Sequence, residues 1–226
     1  MNYTIKIKCI AALSVFLFGL AFIAFSQEKE RYPFENEIKT YQRADSVSKP
    51  PKKGILFIGS SSIRLWNDLK ERFPDKPIIQ RGVGGCQLSH FVQYYMDKIV
   101  YPYKASQIFI YAGDNDIAAG KSAEQVAETF VEFWDLVREK QPKVPIYFLA
   151  IKPSNSRAKY IPTVEKANAL IKEFLDKQKR GAYIDVASVV LGPDGKPDDR
   201  LFREDRLHLN SRGYDLWEQA IRPYLR

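Results

Sequence analysis

GILFIGSSSIRLW, residues 54–66, runs a short apolar segment into a glycine and three consecutive serines. The apolar part, Ile55 to Ile58, reads as a buried strand. Ligands of open α/β sheets bind where strands end, so a serine at this point can serve as a nucleophile. A serine there can equally cap the helix that follows. The choice depends on whether the remaining sequence supplies a base, an orienting acid and donors for an oxyanion.

Further apolar runs follow at regular intervals. Pro77 to Gln80, Gln107 to Tyr111, Pro145 to Ile151 and Ala182 to Val186 read as four more strands, and the third and fourth of the five are apolar enough for a sheet covered on both faces. Helical patterns lie between and around them, at residues 34–46, 63–72, 88–99, 123–140, 161–180 and 211–224. Ser122 followed by Gln125 has the spacing of a capping box, and Gly181 is expected to end the helix before it. Strands alternating with helices predict an α/β fold, a doubly wound sheet of five parallel strands between helical layers. No repeat or long linker marks a second domain.

The 226 residues, 45% of them hydrophobic, suit one domain with an ample core. Residues 1–26 stand apart. Lys6 and Lys8 precede an uncharged run from Cys9 to Phe25, closed by Ala24-Phe25-Ser26 and a polar stretch. This is the layout of a cleavable secretory signal, and export to the periplasm or medium is the expectation; an uncleaved membrane anchor is the alternative. Residues 27–53 then form an N-terminal helix and lead-in, and 54–226 the main domain. Without the leader only Cys86 remains, so no internal disulfide is available. Of 35 basic residues the leader holds two and no acid, which leaves 33 against 27. The densest basic cluster, Lys177 to Arg180, closes a helical pattern as cations do at a helix C-terminus. No basic-aromatic stripe accompanies it, so nucleic acid is not expected, and only weak attraction to membrane surfaces remains.

Four sites converge on the C-terminal edge of such a sheet: Gly59 to Ser62, Gln80 to Gly85, Gly113 to Asp116, and Asp205 to His208. Glycine lets a backbone N–H approach a ligand, asparagine offers a side-chain N–H, and a serine at a strand-to-helix turn adds its own N–H. Three such donors aimed at one oxygen suit a tetrahedral acyl intermediate. Of two histidines, His208 has Asp205 three residues earlier, close enough for the carboxylate to fix the imidazole tautomer.

These blocks resemble the SGNH/GDSL hydrolase superfamily of esterases and acyl hydrolases. GSSSI stands where the family has Gly-Asp-Ser, GVGG supplies the second block, GDND the third and DRLH the last, in family order across most of residues 54–226. The resemblance implies a three-layer α/β/α sandwich of flavodoxin-like type, with Ser61, Asp205 and His208 as catalytic triad and Ser61, Gly85 and Asn115 as oxyanion hole. Two positions depart from the pattern: Ser60 replaces the acidic residue of the family name, and Gln80 stands where many members have Asn.

Each residue has a plainer reading. Ser61 or Ser62 can cap the next helix, and Ser62 is expected to do so. Gly85 can serve a tight turn and Asn115 an ordinary loop. Asp205 can pair with Arg203 or Arg206 at the surface, and His208 can be structural. His90 is expected as a helix residue at the solvent or cleft edge. Cys86 as nucleophile would leave the serine and asparagine turns without a task. Neither a dinucleotide fingerprint nor a P-loop nor a zinc ligand set is visible, so no cofactor or metal is implied. The expected activity is hydrolysis of carboxylic esters through an acyl-enzyme, with short acyl groups on carbohydrate as substrate. Trp66, Tyr94, Tyr95, Tyr101 and Tyr103 are candidates for a sugar platform, though such aromatics also build cores. Lysophospholipase or thioesterase activity is the enzymatic alternative, and a binding protein on a disabled scaffold the non-enzymatic one, supported only by Ser60.

Overall fold

A computed structural model describes residues 30–226. The expected leader, residues 1–26, lies outside the described residues.

Helix α1 (Glu35–Val47) precedes strand β1 (Ile55–Gly59), the short helices α2 (Ser61–Arg64) and α3 (Leu69–Arg72), and strand β2 (Ile78–Gly82). Helix α4 (Leu88–His90) continues without a break into a π-helical run, Phe91–Val100, before β3 (Gln107–Tyr111). Then come α5 (Asp114–Ala118), α6 (Ala123–Lys140), β4 (Ile146–Leu149), α7 (Ile161–Asp176), β5 (Gly181–Ile184) and α8 (Ser211–Ile221). All five strands are parallel, in the order β2-β1-β3-β4-β5. The chain thus reverses its direction of winding between β1 and β3, and the carboxyl ends of those two strands flank the crevice where such sheets bind ligands.

Both faces of the sheet are apolar, as the uninterrupted hydrophobic strands require. Leu56, Ile58, Ile108, Ile110, Ile146 and Phe148 face one layer with α6, α7 and the π-helical run. Ile55, Phe57, Phe109, Tyr111, Tyr147 and Leu149 face the other with α8. The register aligns Phe57 with Phe109 and Phe109 with Tyr147. Their rings therefore stack across three strands at 4.6 Å between successive centroids, a geometry that adds to simple burial. Helix α6 contributes Val126, Phe130, Phe133, Trp134 and Val137, one stripe of its surface. Its N-terminus carries the expected capping box, with reciprocal Ser122 and Gln125 bonds of 2.9 and 3.2 Å.

Three local expectations are corrected. The pattern over residues 63–72 is not one helix but two separate turns, α2 and α3, and Ser62 is no cap: Ser60 occupies the N-cap position while Ser62 is buried inside α2. Gly181 does not end α7, which stops at Asp176. It opens β5 instead, because a Cβ there would meet the Trp134 ring at 2.5 Å. Arg180, with φ of 62°, makes the reversal.

Helix α1 is tied to the strand ends. Arg81 donates to Tyr103 Oη at 2.6 Å and also binds Asp45, while Tyr103 donates to Asp45 Oδ2 at 2.6 Å. Tyr41 donates to the Gly82 carbonyl, and the Gly84 N–H donates to Glu37 Oε2 at 3.0 Å. Among the described residues no helix is long and apolar enough to cross a membrane.

Candidate active site

Gly59 makes the turn that presents the serines. Its φ is +144°, and a Cβ there would lie 2.0 Å from the Tyr111 carbonyl oxygen of the neighbouring strand. Only glycine fits this close approach. The chain leaves β1 sharply, Ser60 is fully buried, and Ser61 becomes the first residue of α2. Gln80, the departure from Asn, holds this turn through its amide, which donates to the carbonyls of Ile63 and Trp66 at 2.6 and 2.9 Å. On the other side Tyr214 of α8 donates to the Ser62 carbonyl at 2.9 Å.

His208 Nε2 lies 2.9 Å from Ser61 Oγ, and His208 Nδ1 lies 2.6 Å from Asp205 Oδ2. A carboxylate only accepts, so Nδ1 carries the hydrogen and Nε2 is left to accept from the serine hydroxyl. Asp205 Oδ1 also accepts from the backbone N–H groups of Leu207 and His208, each at 2.9 Å. Burial alone would raise the Asp205 pKa; these two N–H groups and the His208 ring outweigh it and hold the carboxyl down at about 2. The surface pairing with Arg203 or Arg206 is not formed: Arg206 binds Asp199 at 2.8 Å, and Arg203 donates to the Leu209 carbonyl at 3.1 Å.

Gly85 and Asn115 lie across the same cleft. Gly85 has φ of +77°. Among the described residues, no backbone or side-chain acceptor takes the N–H of either Ser61 or Gly85. Asn115 Nδ2 donates to the Cys86 carbonyl at 2.9 Å, which uses one of its two hydrogens. The loops are tied together by Asp116, buried, whose carboxylate accepts from the Leu88 N–H at 2.7 Å and from Lys121 Nζ at 2.8 Å. All five site residues expected from the sequence thus meet, and four of them, Ser61, Gly85, Asn115 and His208, line one cleft of about 380 Å³. Its other walls are Glu37, Arg64, Gly84, Arg157 and Leu207.

Glu37, Arg64 and Arg157 line the cleft from outside the four sequence blocks. Glu37 comes from α1, which sequence spacing cannot connect to the site; it lies 3.4 Å from Arg64 Nε. Arg157 follows the fourth strand, whose end, like that of the fifth, carries none of the four blocks. Its guanidinium donates to Asn115 Oδ1 at 2.9 Å and lies 3.1 Å from Asp114 Oδ2. Lys152, also after β4, is buried beneath, 5.8 Å from the ring centroids of Tyr111 and Phe202.

The aromatic candidates do not form a platform in the cleft. Trp66, Tyr95 and Tyr103 are buried in the core, Tyr101 donates to the Leu136 carbonyl, and Tyr94 stacks on Tyr32. His90 Nδ1 accepts from the Gln87 N–H at 3.2 Å, and burial lowers its pKa. Cys86 is fully buried with its thiol 3.4 Å from the Gly59 carbonyl, and burial pushes its pKa up, which disfavours a thiolate nucleophile. A larger apolar groove of about 410 Å³, between α7 and the segment 185–197, shares no lining residue with the cleft. No group of side chains that could hold a metal occurs among the described residues.

A five-stranded parallel α/β sandwich with this serine turn is the architecture of the SGNH/GDSL hydrolases, which cleave ester bonds. The chain belongs to the GDSL-like lipase/acylhydrolase family, whose model matches residues 59–216. It is 26% identical over 177 residues to the human platelet-activating factor acetylhydrolase IB subunit alpha1, covering 76% of this chain and 74% of that protein. Among solved structures, a GDSL-like lipase from Bacteroides thetaiotaomicron matches with a TM-score of 0.69 at 17% identity, over 83% of this chain and 96% of that one. A carbohydrate esterase family 3 protein from Talaromyces cellulolyticus matches with a TM-score of 0.59 at 17% identity, over 75% and 94%.

Proposed function

We propose that this acylhydrolase is an exported serine esterase that removes short acyl groups, acetyl foremost, from carbohydrate through a covalent acyl-enzyme. The observation that carries the reading is the chain Asp205–His208–Ser61, with spacings of 2.6 and 2.9 Å, at the wall of a polar cleft. His208 Nε2 takes the Ser61 proton as Oγ attacks the ester carbonyl, and Asp205 holds the resulting imidazolium. The new oxyanion is met by the N–H groups of Ser61 and Gly85 and the free hydrogen of Asn115 Nδ2. The imidazolium returns its proton to the departing alcohol, and water repeats the sequence on the acyl-enzyme.

The cleft lining supports a short acyl group and a hydrophilic alcohol. Leu207 is its one aliphatic side chain among Glu37, Ser61, Arg64, Asn115, Arg157 and His208, so a long hydrocarbon chain would find little to cover it. The likeness to a carbohydrate esterase is consistent with a sugar scaffold. A second reading, an acetylated phospholipid, is favoured by the relationship to a platelet-activating factor acetylhydrolase.

The test is acyl release by the purified protein from acetylated oligosaccharides, from lysophospholipids and acetyl phospholipids, and from nitrophenyl esters of increasing chain length. The proposal expects acetate from the sugars and turnover that falls steeply beyond butyrate. Phospholipid turnover without sugar deacetylation moves the assignment to the second reading. Export is tested by sequencing the N-terminus of the protein from periplasmic and culture fractions; residue 27 as the first residue supports it.

A further inference from the structure

The segment after β4, Ile151-Lys152-Pro153-Ser154-Asn155-Ser156-Arg157, reaches the same sheet edge as the serine turn. Its end lies against the histidine loop, where the Ser156 N–H donates to the Arg206 carbonyl at 3.2 Å and Asn155 binds Asp199. Arg157 is thereby held over Asn115.

Asparagine oxygen and nitrogen have nearly the same shape, and an amide turned by 180° would offer the oxyanion a carbonyl instead of a donor. Two neighbours forbid that turn. The Cys86 carbonyl can only accept, so the atom facing it at 2.9 Å must be Nδ2. The Arg157 guanidinium can only donate, so the atom facing it at 2.9 Å must be Oδ1. Of the two, the guanidinium bond is charge-assisted and the stronger. It also draws electron density toward Oδ1, which makes the remaining Nδ2 hydrogen a better donor. Asp114, buried with its Oδ2 at 3.1 Å, keeps the guanidinium in place.

We propose that Arg157 is a positioning residue for the oxyanion site: its bond to Asn115 Oδ1 fixes the amide with Nδ2 toward the reacting carbonyl. The proposal rests on the reading of Asn115 as an oxyanion donor. It assigns a catalytic consequence to a residue outside the four sequence blocks, and to the fourth strand a share in the site.

A double-mutant cycle on the full chain tests it, with kcat and KM measured on nitrophenyl acetate. Asn115→Ala alone is expected to lower kcat about a hundred- to a thousandfold. Arg157→Met, which keeps the stem and removes the donors, is expected to lower kcat about ten- to a hundredfold, whatever change in KM follows from its place in the cleft wall. In the Asn115→Ala background the same Arg157→Met change should cost less than about threefold, because the amide it orients is gone. Equal losses in both backgrounds overturn the proposal, as does normal turnover in Arg157→Met. Normal turnover in Asn115→Ala overturns the underlying oxyanion reading instead, so the two failures are separable.

If Arg157→Met does not fold, because Asp114 is left buried without its partner, Arg157→Ala supplemented with guanidinium replaces it. Added guanidinium should then restore kcat when Asn115 is present and not when it is alanine. Restoration in both backgrounds, or in neither, contradicts the proposal.

Discussion

Replacing Asp205 by asparagine isolates the tautomer argument. Asp205 Oδ1 accepts two backbone N–H groups, from Leu207 and His208. An asparagine keeps those bonds only by turning its carbonyl toward them, which points its NH₂ group at His208 Nδ1. Two donors cannot share that 2.6 Å contact. The imidazole hydrogen moves to Nε2, which then donates toward Ser61 and can no longer take its proton. In a buried triad the same exchange costs about 10⁴ in turnover. The Asp205 side chain is 46% exposed, so water competes for Nδ1 and the loss should be smaller, about a hundred- to a thousandfold. Asp205 does not line the cleft, so KM should change by less than about twofold and the whole loss should appear in kcat. Steady-state hydrolysis of nitrophenyl acetate, with thermal melts to show that the two retained bonds preserve the loop, measures both. A loss below about fivefold, or one confined to KM, would refute the reasoning.

Three further outcomes follow from the packing. Burial pushes the Lys152 ammonium down to about 8 from 10.5. The folded chain therefore sheds this proton near pH 8 while the unfolded chain keeps it to about 10.5, and stability owed to this group rises with pH across that window. Lys152→Met should be more stable than wild type at pH 7 in urea unfolding, by a margin that narrows toward pH 10; a constant margin contradicts the assignment. Gly85→Ala forces alanine to φ of +77° with its Cβ 3.3 Å from the Phe34 ring, so it should lose about 1–3 kcal/mol in urea unfolding, and an unchanged stability would contradict the strain at this turn. Arg81→Met takes the cation from the part-buried Asp45, which keeps its Tyr103 bond, and should cost about 1.5–3 kcal/mol in urea unfolding, with under about 0.5 contradicting the pair's role.

The sheet was legible because each strand is a compact apolar run. Gln107 to Tyr111 is recovered to the residue, and the others shift by one or two residues at their ends. Helix α6 was equally clear, since its apolar stripe and capping box agree. Where local pattern and tertiary contact disagree, pattern failed. Ser62 has a good cap chemistry, yet the steric demand at Gly59 makes the chain turn two residues earlier, with Ser60 at the N-cap. Gly181 looks like a helix end and is a packing position under Trp134. Trp66, Tyr95 and Tyr103 offered the surface of a sugar platform, and the core took them.

The candidate site was legible in four places because its blocks are short and follow strands. It was illegible where a residue's role depends on a partner far along the chain. Nothing near Glu37 in sequence indicates that it accepts from the Gly84 N–H. Arg157 is different: it follows the end of β4, so the rule that places ligand groups at strand ends covers it as it covers the loops after β1, β2 and β3.

The central claim is that Ser61 carries the acyl group. A fluorophosphonate probe reacts with an activated serine, and peptide mass spectrometry locates the adduct. The account predicts a single adduct on Ser61 in the wild-type protein, none in Ser61→Ala, and sharply slower labelling in His208→Ala. An adduct on Ser62, labelling that persists in Ser61→Ala, or an esterase that turns over without any adduct would contradict it.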